Sequence, residues 1–224
     1  MNRLKIVITG AVFGLLINAN AQSTRVEVPT EVFRNELRDG GLPAKYNGSP
    51  YLNDEFVPGK IIMENTNEYS NGMLRFNAYS DQIEIKKADQ TSVLLKRPYI
   101  KAEINNEIIA IKPFNEDGRV KNAYFIVLTD GKYTLLRKED KIFYPEENDL
   151  SSTYSSAKPP RFVDDPKYFF SVNNEPAEKI KLKKKAILKK LSAEDNADAI
   201  ISEKSLNLNK SEDIIQLLNE LNLN

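Results

Sequence analysis

The sequence predicts a mainly β protein, an antiparallel meander forming a barrel-like or sandwich sheet, closed by two or three short C-terminal helices. Three observations carry this. Apolar and polar residues alternate in short runs from Lys60 onward. Tight-turn residues separate the runs with no helical stretch between them, which disfavours a parallel α/β sheet. After Leu182 the apolar spacing changes from that of a strand to that of a helix.

Met1 to Ala21 read as a cleaved secretory signal. Arg3 and Lys5 precede an uncharged stretch from Ile6 to Ile17, and Ala19 and Ala21 predict cleavage before Gln22. The apolar run is shorter than the roughly 20 residues of a spanning helix. No cysteine follows it, so no lipid anchor is expected. Residues 22–58 form an N-terminal extended segment, with a short helix expected from Glu31 to Arg38 on the apolar face of Val32, Phe33 and Leu37. Turn residues Asn47-Gly48-Ser49-Pro50 then lead past Phe56 into the β domain, residues 59–182, whose first strand is Lys60 to Glu64.

Register follows from the rule that paired residues share a face. A two-residue turn at Ser80-Asp81 pairs Ala78 with Ile83 and Phe76 with Ile85, and sets Asn77 against Glu84 and Arg75 against Lys86. One at Asn105-Asn106 pairs Ala102 with Ile109 and Ile100 with Ile111. Asp130-Gly131 has the composition of a type I′ turn and pairs Leu128 with Tyr133 and Ile126 with Leu135. Phe125, Val127 and Leu136 make the second face of this hairpin apolar too, which puts it in the middle of the structure. Runs at Ser92 to Lys96, Lys141 to Tyr144, Tyr168 to Val172 and Lys179 to Leu182 bring the expectation to about ten strands. Pro145 to Lys167, rich in serine and proline, reads as a long surface loop.

Residues 183–224 form the helical segment. Ile187, Leu188 and Leu191 give a first stripe. Ser192 and Asp195 have capping-box spacing for a second helix. Asn209 and Glu212 are the expected cap of a third, whose inner face is Ile214, Leu217, Leu218 and Leu221.

The chain has no cysteine and no histidine. That excludes disulfides, Cys nucleophiles, His-based triads and imidazole-bound zinc or haem. Lysine plus arginine equal aspartate plus glutamate at 32 each, and the signal holds two of the bases, so the mature chain carries 30 against 32. Such balance suggests neither nucleic-acid binding nor strong attraction to an anionic membrane. Seven lysines lie between Lys179 and Lys190, and seven acids follow between Glu194 and Glu220. A solvated, locally neutralised face explains them better than an anionic-ligand or lipid-headgroup patch. The acidic pairs Asp54-Glu55, Glu146-Glu147 and Asp164-Asp165 lack the cross-cleft placement a glycosidase needs, and surface position is the simpler reading. Asn115-Glu116-Asp117-Gly118 reads as a hairpin turn rather than a calcium loop. Ser155 and Lys158 match the spacing of penicillin-recognising enzymes, without the helix or the companion motifs. Tyr51, Phe56, Tyr79, Tyr99 and the Tyr168-Phe169-Phe170 run could line a groove, although aromatic residues are more often strand filler.

Gly48-Ser49-Pro50-Tyr51-Leu52 with Phe56, then Leu74-Arg75-Phe76-Asn77 with Asp81-Gln82, resemble segments of secreted or periplasmic Bacteroidota proteins that have no assigned activity. Tyr168-Phe169-Phe170, Lys183-Lys184 and Asp213-Ile214-Ile215 resemble the same group. The resemblance implies location and lineage, and it brings no site residues. No catalytic, cofactor-binding or metal-binding set is therefore expected. The sequence reads as an exported, non-catalytic envelope module, periplasmic or secreted, with no transmembrane segment after signal cleavage. Its partner would be a protein, a glycan or a lipid. A carboxylate-based glycan hydrolase and a periplasmic lipid carrier are the alternatives.

Overall fold

Alternating runs pair with their sequence neighbours to build one large antiparallel sheet. A computed structural model describes residues 24–25, 27, 32–34, 43, 45–88, 90–147, 158–191 and 196–223. The signal and the Ser192/Asp195 pair lie outside the described residues. The strands are β1 (Thr24–Arg25), β2 (Phe33–Arg34), β3 (Val57–Met63), β4 (Glu68–Asn77), β5 (Gln82–Lys87), β6 (Gln90–Leu94) and β7 (Ile100–Ile104). They continue as β8 (Glu107–Glu116), β9 (Arg119–Val127), β10 (Tyr133–Lys138), β11 (Lys141–Tyr144), β12 (Arg161–Asp164), β13 (Lys167–Val172) and β14 (Glu178–Ile180). The helices are α1 (Lys184–Lys190), α2 (Ala197–Glu203) and α3 (Ser211–Leu223).

Eleven strands run in the order β14-β13-β10-β9-β8-β7-β3-β4-β5-β6-β2, with β1 parallel to the start of β4 and β11-β12 set apart as a ribbon. The sheet is not closed into a barrel, but it curls. Gly59 and Gly72 face each other across β3 and β4. A Cβ at Gly59 would sit 2.6 Å from the Glu103 carbonyl oxygen, and one at Gly72 would sit 2.9 Å from Ile85 Cδ1. Neighbours close in over this pair and leave no room for a side chain. The concave face fills with one cluster that includes Ile61, Leu74, Phe76, Ile83, Ile100 and Ile109, all at most 2% exposed. Each such side chain contributes roughly 1.5–3 kcal/mol of burial. Across the curl the Phe76 and Tyr124 rings meet edge to face at 6.0 Å. Tyr124 N–H also donates to Asp81 Oδ1 of the β4–β5 loop at 3.1 Å.

The same face continues over β10, β13 and β14, where the helices cover it. Leu135, Phe170 and Ile180 pack against Ile187, Ile201, Ile214, Leu217 and Leu218. The predicted inner face of α3 is buried throughout. Its predicted cap is replaced. Ile214 N–H bonds the Lys210 carbonyl, while the Asp213 carboxylate takes Asn207 N–H at 2.7 Å and the Asn207 side chain takes Asn209 N–H at 3.1 Å. A loop organised by Asn207 therefore moves the helix start to Ser211. On the opposite face, Phe114, Phe125 and Phe169 make mutual edge-to-face contacts at 5.2–5.5 Å. Phe169 and Phe170 thus enter different cores, and β9 and β10 are buried on both faces as their composition requires.

Turn chemistry decides the registers. Asn105 and Asn106 both take positive φ, at 53° and 65°. They make the two-residue turn, and Ala102 pairs with Ile109 as expected. The other two hairpins slip by two residues, which preserves every face. Phe76 pairs with Ile83, and Arg75 with Glu84. The reason is a longer loop in which the Asn77 side chain accepts Ser80 N–H at 3.0 Å and Asp81 takes the positive φ. At the β9–β10 connection Leu128 and Thr129 N–H both donate to the Leu135 carbonyl, which makes a bulge. Thr129 Oγ1 accepts Leu135 N–H at 2.9 Å and donates to the Tyr133 carbonyl at 3.0 Å. This side chain substitutes for ladder bonds and widens the turn beyond Asp130-Gly131.

Two expectations are corrected. Phe33 and Arg34 are extended, paired with Leu94 and Val93 of β6, so the helix expected from Glu31 to Arg38 does not form at these two residues. A sheet edge offers these residues more bonds than one weak helical turn would. Within the stretch expected to be a loop, Arg161–Asp164 form β12, paired with β11.

Candidate binding surface

The ribbon is the continuation of a longer hairpin. Tyr133 pairs with Val172 and Lys138 with Lys167. The same register resumes at Lys141 with Asp164 and runs to Tyr144 with Arg161. Asp165 N–H donates to the Asp140 carbonyl at 2.9 Å across the joint. One two-stranded arm therefore leaves the main sheet at β10 and β13. Its base is held by charge: Arg137 reaches Glu107 at 2.8 Å, and Lys167 reaches Asp140 at 2.8 Å and Asp165 at 2.7 Å. Burial alone would depress the Lys167 ammonium, but its bonds to Asp140 and Asp165 outweigh that and hold it above the usual lysine range.

Alternation gives the arm two faces. Phe143 and Phe162, centroids 5.0 Å apart, face the body of the protein. Their seat is Tyr79 of the β4–β5 loop, 5.2 Å from Phe162, and Tyr46, 5.1 Å from Phe162. Asn47 stitches the seat to β12, donating to the Pro160 carbonyl at 2.8 Å and accepting Phe162 N–H at 2.9 Å. The outer face carries the cross-strand pairs Ile142–Val163 and Tyr144–Arg161, with the Arg161 guanidinium 4.9 Å from the Tyr144 ring centroid. Ile142, Tyr144 and Val163 are 39%, 37% and 41% exposed. An open cleft of about 540 Å³ at the seat is lined by Lys45, Tyr46, Asn47, Pro159 and Pro160.

Sequence reasoning singles out Tyr79 but not Tyr46, Ile142, Tyr144, Arg161 or Val163. Their signal was the alternation at Arg161–Asp164, hidden between Pro159-Pro160 and Pro166. The other flagged aromatics are accounted for differently. Tyr51 and Phe56 enclose Arg75, at 3.5 and 4.3 Å from their ring centroids. Tyr99 is exposed on a separate turn.

The carboxylates do not converge. Asp54 and Glu55 are exposed, Glu147 pairs with Lys158 and Arg161, and Asp164 pairs with Lys141. The hydrogen bond from Lys158, with the charge of Arg161 nearby, holds the Glu147 carboxyl below its ordinary range. Glu84 is 2% exposed, and it is bound to Arg75 at 2.7 Å rather than facing a second acid. Asp117 and Gly118 take the positive φ values of a turn. Ser155 lies outside the described residues. Among the described residues no cluster of three or more acids could hold a metal ion.

Tyr124 is the other unusual group. It is 1% exposed, and its hydroxyl has no hydrogen-bond partner among the described residues. Burial, with the Asp81 carboxylate nearby, pushes its phenol above the usual tyrosine range. Tyr124→Phe should raise stability by about 1 kcal/mol, because it removes a desolvated hydroxyl and keeps the ring. A urea midpoint unchanged or lower than that of the parent would contradict this account.

Comparison with protein-family models, curated proteins and solved structures gives no match. No helix among the described residues is long and apolar enough to cross a membrane.

Proposed function

We propose that this chain is an exported, non-catalytic binding module of the cell envelope, and that its partner engages the outer face of the arm. One observation carries the reading. Of the nine large apolar side chains exposed among the described residues, three (Ile142, Tyr144 and Val163) lie together on the outer face of the arm, and two more (Tyr46 and Tyr79) on its seat. Exposed apolar residues are ordinary when scattered, but a cluster marks a contact surface. The filled concave core favours this over a lipid carrier, and the ion-paired, dispersed acids favour it over a hydrolase. Export rests on the residue pattern of positions 1–21.

The test is a photo-crosslinker at position 144, with a control at position 99, exposed on the β6–β7 turn beside Glu64, in the native envelope. The reading expects a defined adduct at 144 that is lost when Ile142 and Val163 become serine. Equal labelling at both positions would overturn it. Retention of residues 1–21 on the protein recovered from the envelope would count against export by a cleaved signal.

A further inference from the structure

The lysines that sequence balance assigns to a neutralised face are mostly without an ion pair among the described residues. Of the seven between Lys179 and Lys190, only Lys190 makes an ion pair among the described residues, with Glu178. Of the acids that follow, three are engaged within the helical segment itself, and Glu194 and Asp195 lie outside the described residues. Glu220 binds Lys204, Asp213 caps the Asn207 amide, and Glu212 takes the Ser211 hydroxyl. Glu178 pairs with the patch, and its carboxyl is held below the ordinary range by Lys190, with Lys189 adding to it.

Lys181, Lys183, Lys184 and Lys185 are all exposed. Chain length alone keeps them within roughly 14 Å of one another. Lys189 follows Lys185 by about one helical turn. The residues between them point inward: Ile180, Ile187 and the partly buried Leu182, Ala186 and Leu188 all pack into the core beneath the helices. The surface left is ammonium groups on flexible stems, without arginine forks or aromatic rings to read or stack nucleic-acid bases. Its local charge exceeds anything the near-neutral whole chain suggests.

We propose that the turn between β14 and α1 docks this protein on an anionic phospholipid surface. The choice of a lipid surface rests on the envelope location proposed above, while the docking face is separate from the arm. Each lysine near such a surface contributes about fivefold in affinity, and the attraction is screened within a Debye length.

Sedimentation of the mature protein with vesicles tests it. Vesicles of phosphatidylcholine and phosphatidylglycerol in roughly a 2:1 ratio should bind. Pure phosphatidylcholine vesicles should not, and raising salt from about 50 to about 300 mM should release the protein. The combined variant Lys181→Gln, Lys183→Gln and Lys184→Gln should bind about 100-fold more weakly, while arginine at the same positions restores binding. Replacing Ile142, Tyr144 and Val163 by serine should leave vesicle binding unchanged, so that the two surfaces can fail separately. The proposal is overturned by absence of sedimentation with the anionic vesicles, by equal binding to neutral ones, or by a glutamine variant that binds like the parent. Capture of soluble polyphosphate without vesicle binding would overturn it as well. The lysines would then only guard the edge strand β14 against pairing.

Discussion

Arg75→Met is expected to lower stability by about 3–5 kcal/mol, measured as a fall in urea midpoint with unchanged slope. Arg75 lies on the face of β4 turned away from the concave core. Its Nε and Nη2 donate to Glu84 Oε2 at 3.2 and 2.7 Å, and its Nη1 donates to the Asp54 carbonyl at 2.9 Å. Tyr51 and Phe56 stack on the guanidinium and keep water from it. Glu84 also accepts from Asn77 Nδ2 at 3.4 Å, which is too long to replace the arginine. Methionine would fill the slot between the rings but strand a buried carboxylate. The double variant Arg75→Met with Glu84→Leu should recover most of the loss, since a well-packed apolar pair often equals a buried ion pair. A single-variant loss under about 1 kcal/mol would show that Glu84 finds water instead.

Gly48→Ala is the second. Gly48 has φ +75°, and a Cβ there would lie 2.7 Å from the Phe162 carbonyl oxygen, on backbone that cannot swing aside. Left-handed strain costs an alanine about 1 kcal/mol, and the clash adds to it, so a total near 2–4 kcal/mol is expected. The damage should be local. Amide exchange should quicken at Asn47 and Phe162, whose backbone bonds join the arm to its seat, and stay slow at Ile61 and Leu74. Uniform loss of protection across the sheet would mean that the seat is not a separable contact.

Much of the fold was legible because one face of each strand is buried, so alternation survives even where a register slips. Asn105-Asn106 was readable outright, since both positions must take positive φ and asparagine tolerates it. The hairpins at Asp81 and Gly131 were misread by two residues for a chemical reason: the Asn77 and Thr129 side chains bond the backbone and lengthen the turns. Residues 32–34 were misread because the pairing that holds them comes from β6, far along the chain. The arm's surface was the least visible. Its second strand is four residues long, bounded by prolines, and gains meaning only beside β11. Gly48 belongs to the joint under the arm, whereas Tyr51, Phe56, Arg75 and Asn77 surround Glu84, and packing accounts for both groups.

The arm's two strands are neighbours in sequence, whereas its seat is not. The ladder from Tyr133–Val172 to Tyr144–Arg161 closes on a local hairpin, which costs little loop entropy. Its stitch to Asn47 must wait until the whole meander from β3 to β9 has formed. The arm should therefore fold early and dock late. In pulse-labelling during refolding, Ile142 and Val163 amides should gain protection before those of Asn47 and Phe162. Every chain would pass through a stage in which both aromatic faces of the arm are open to other chains.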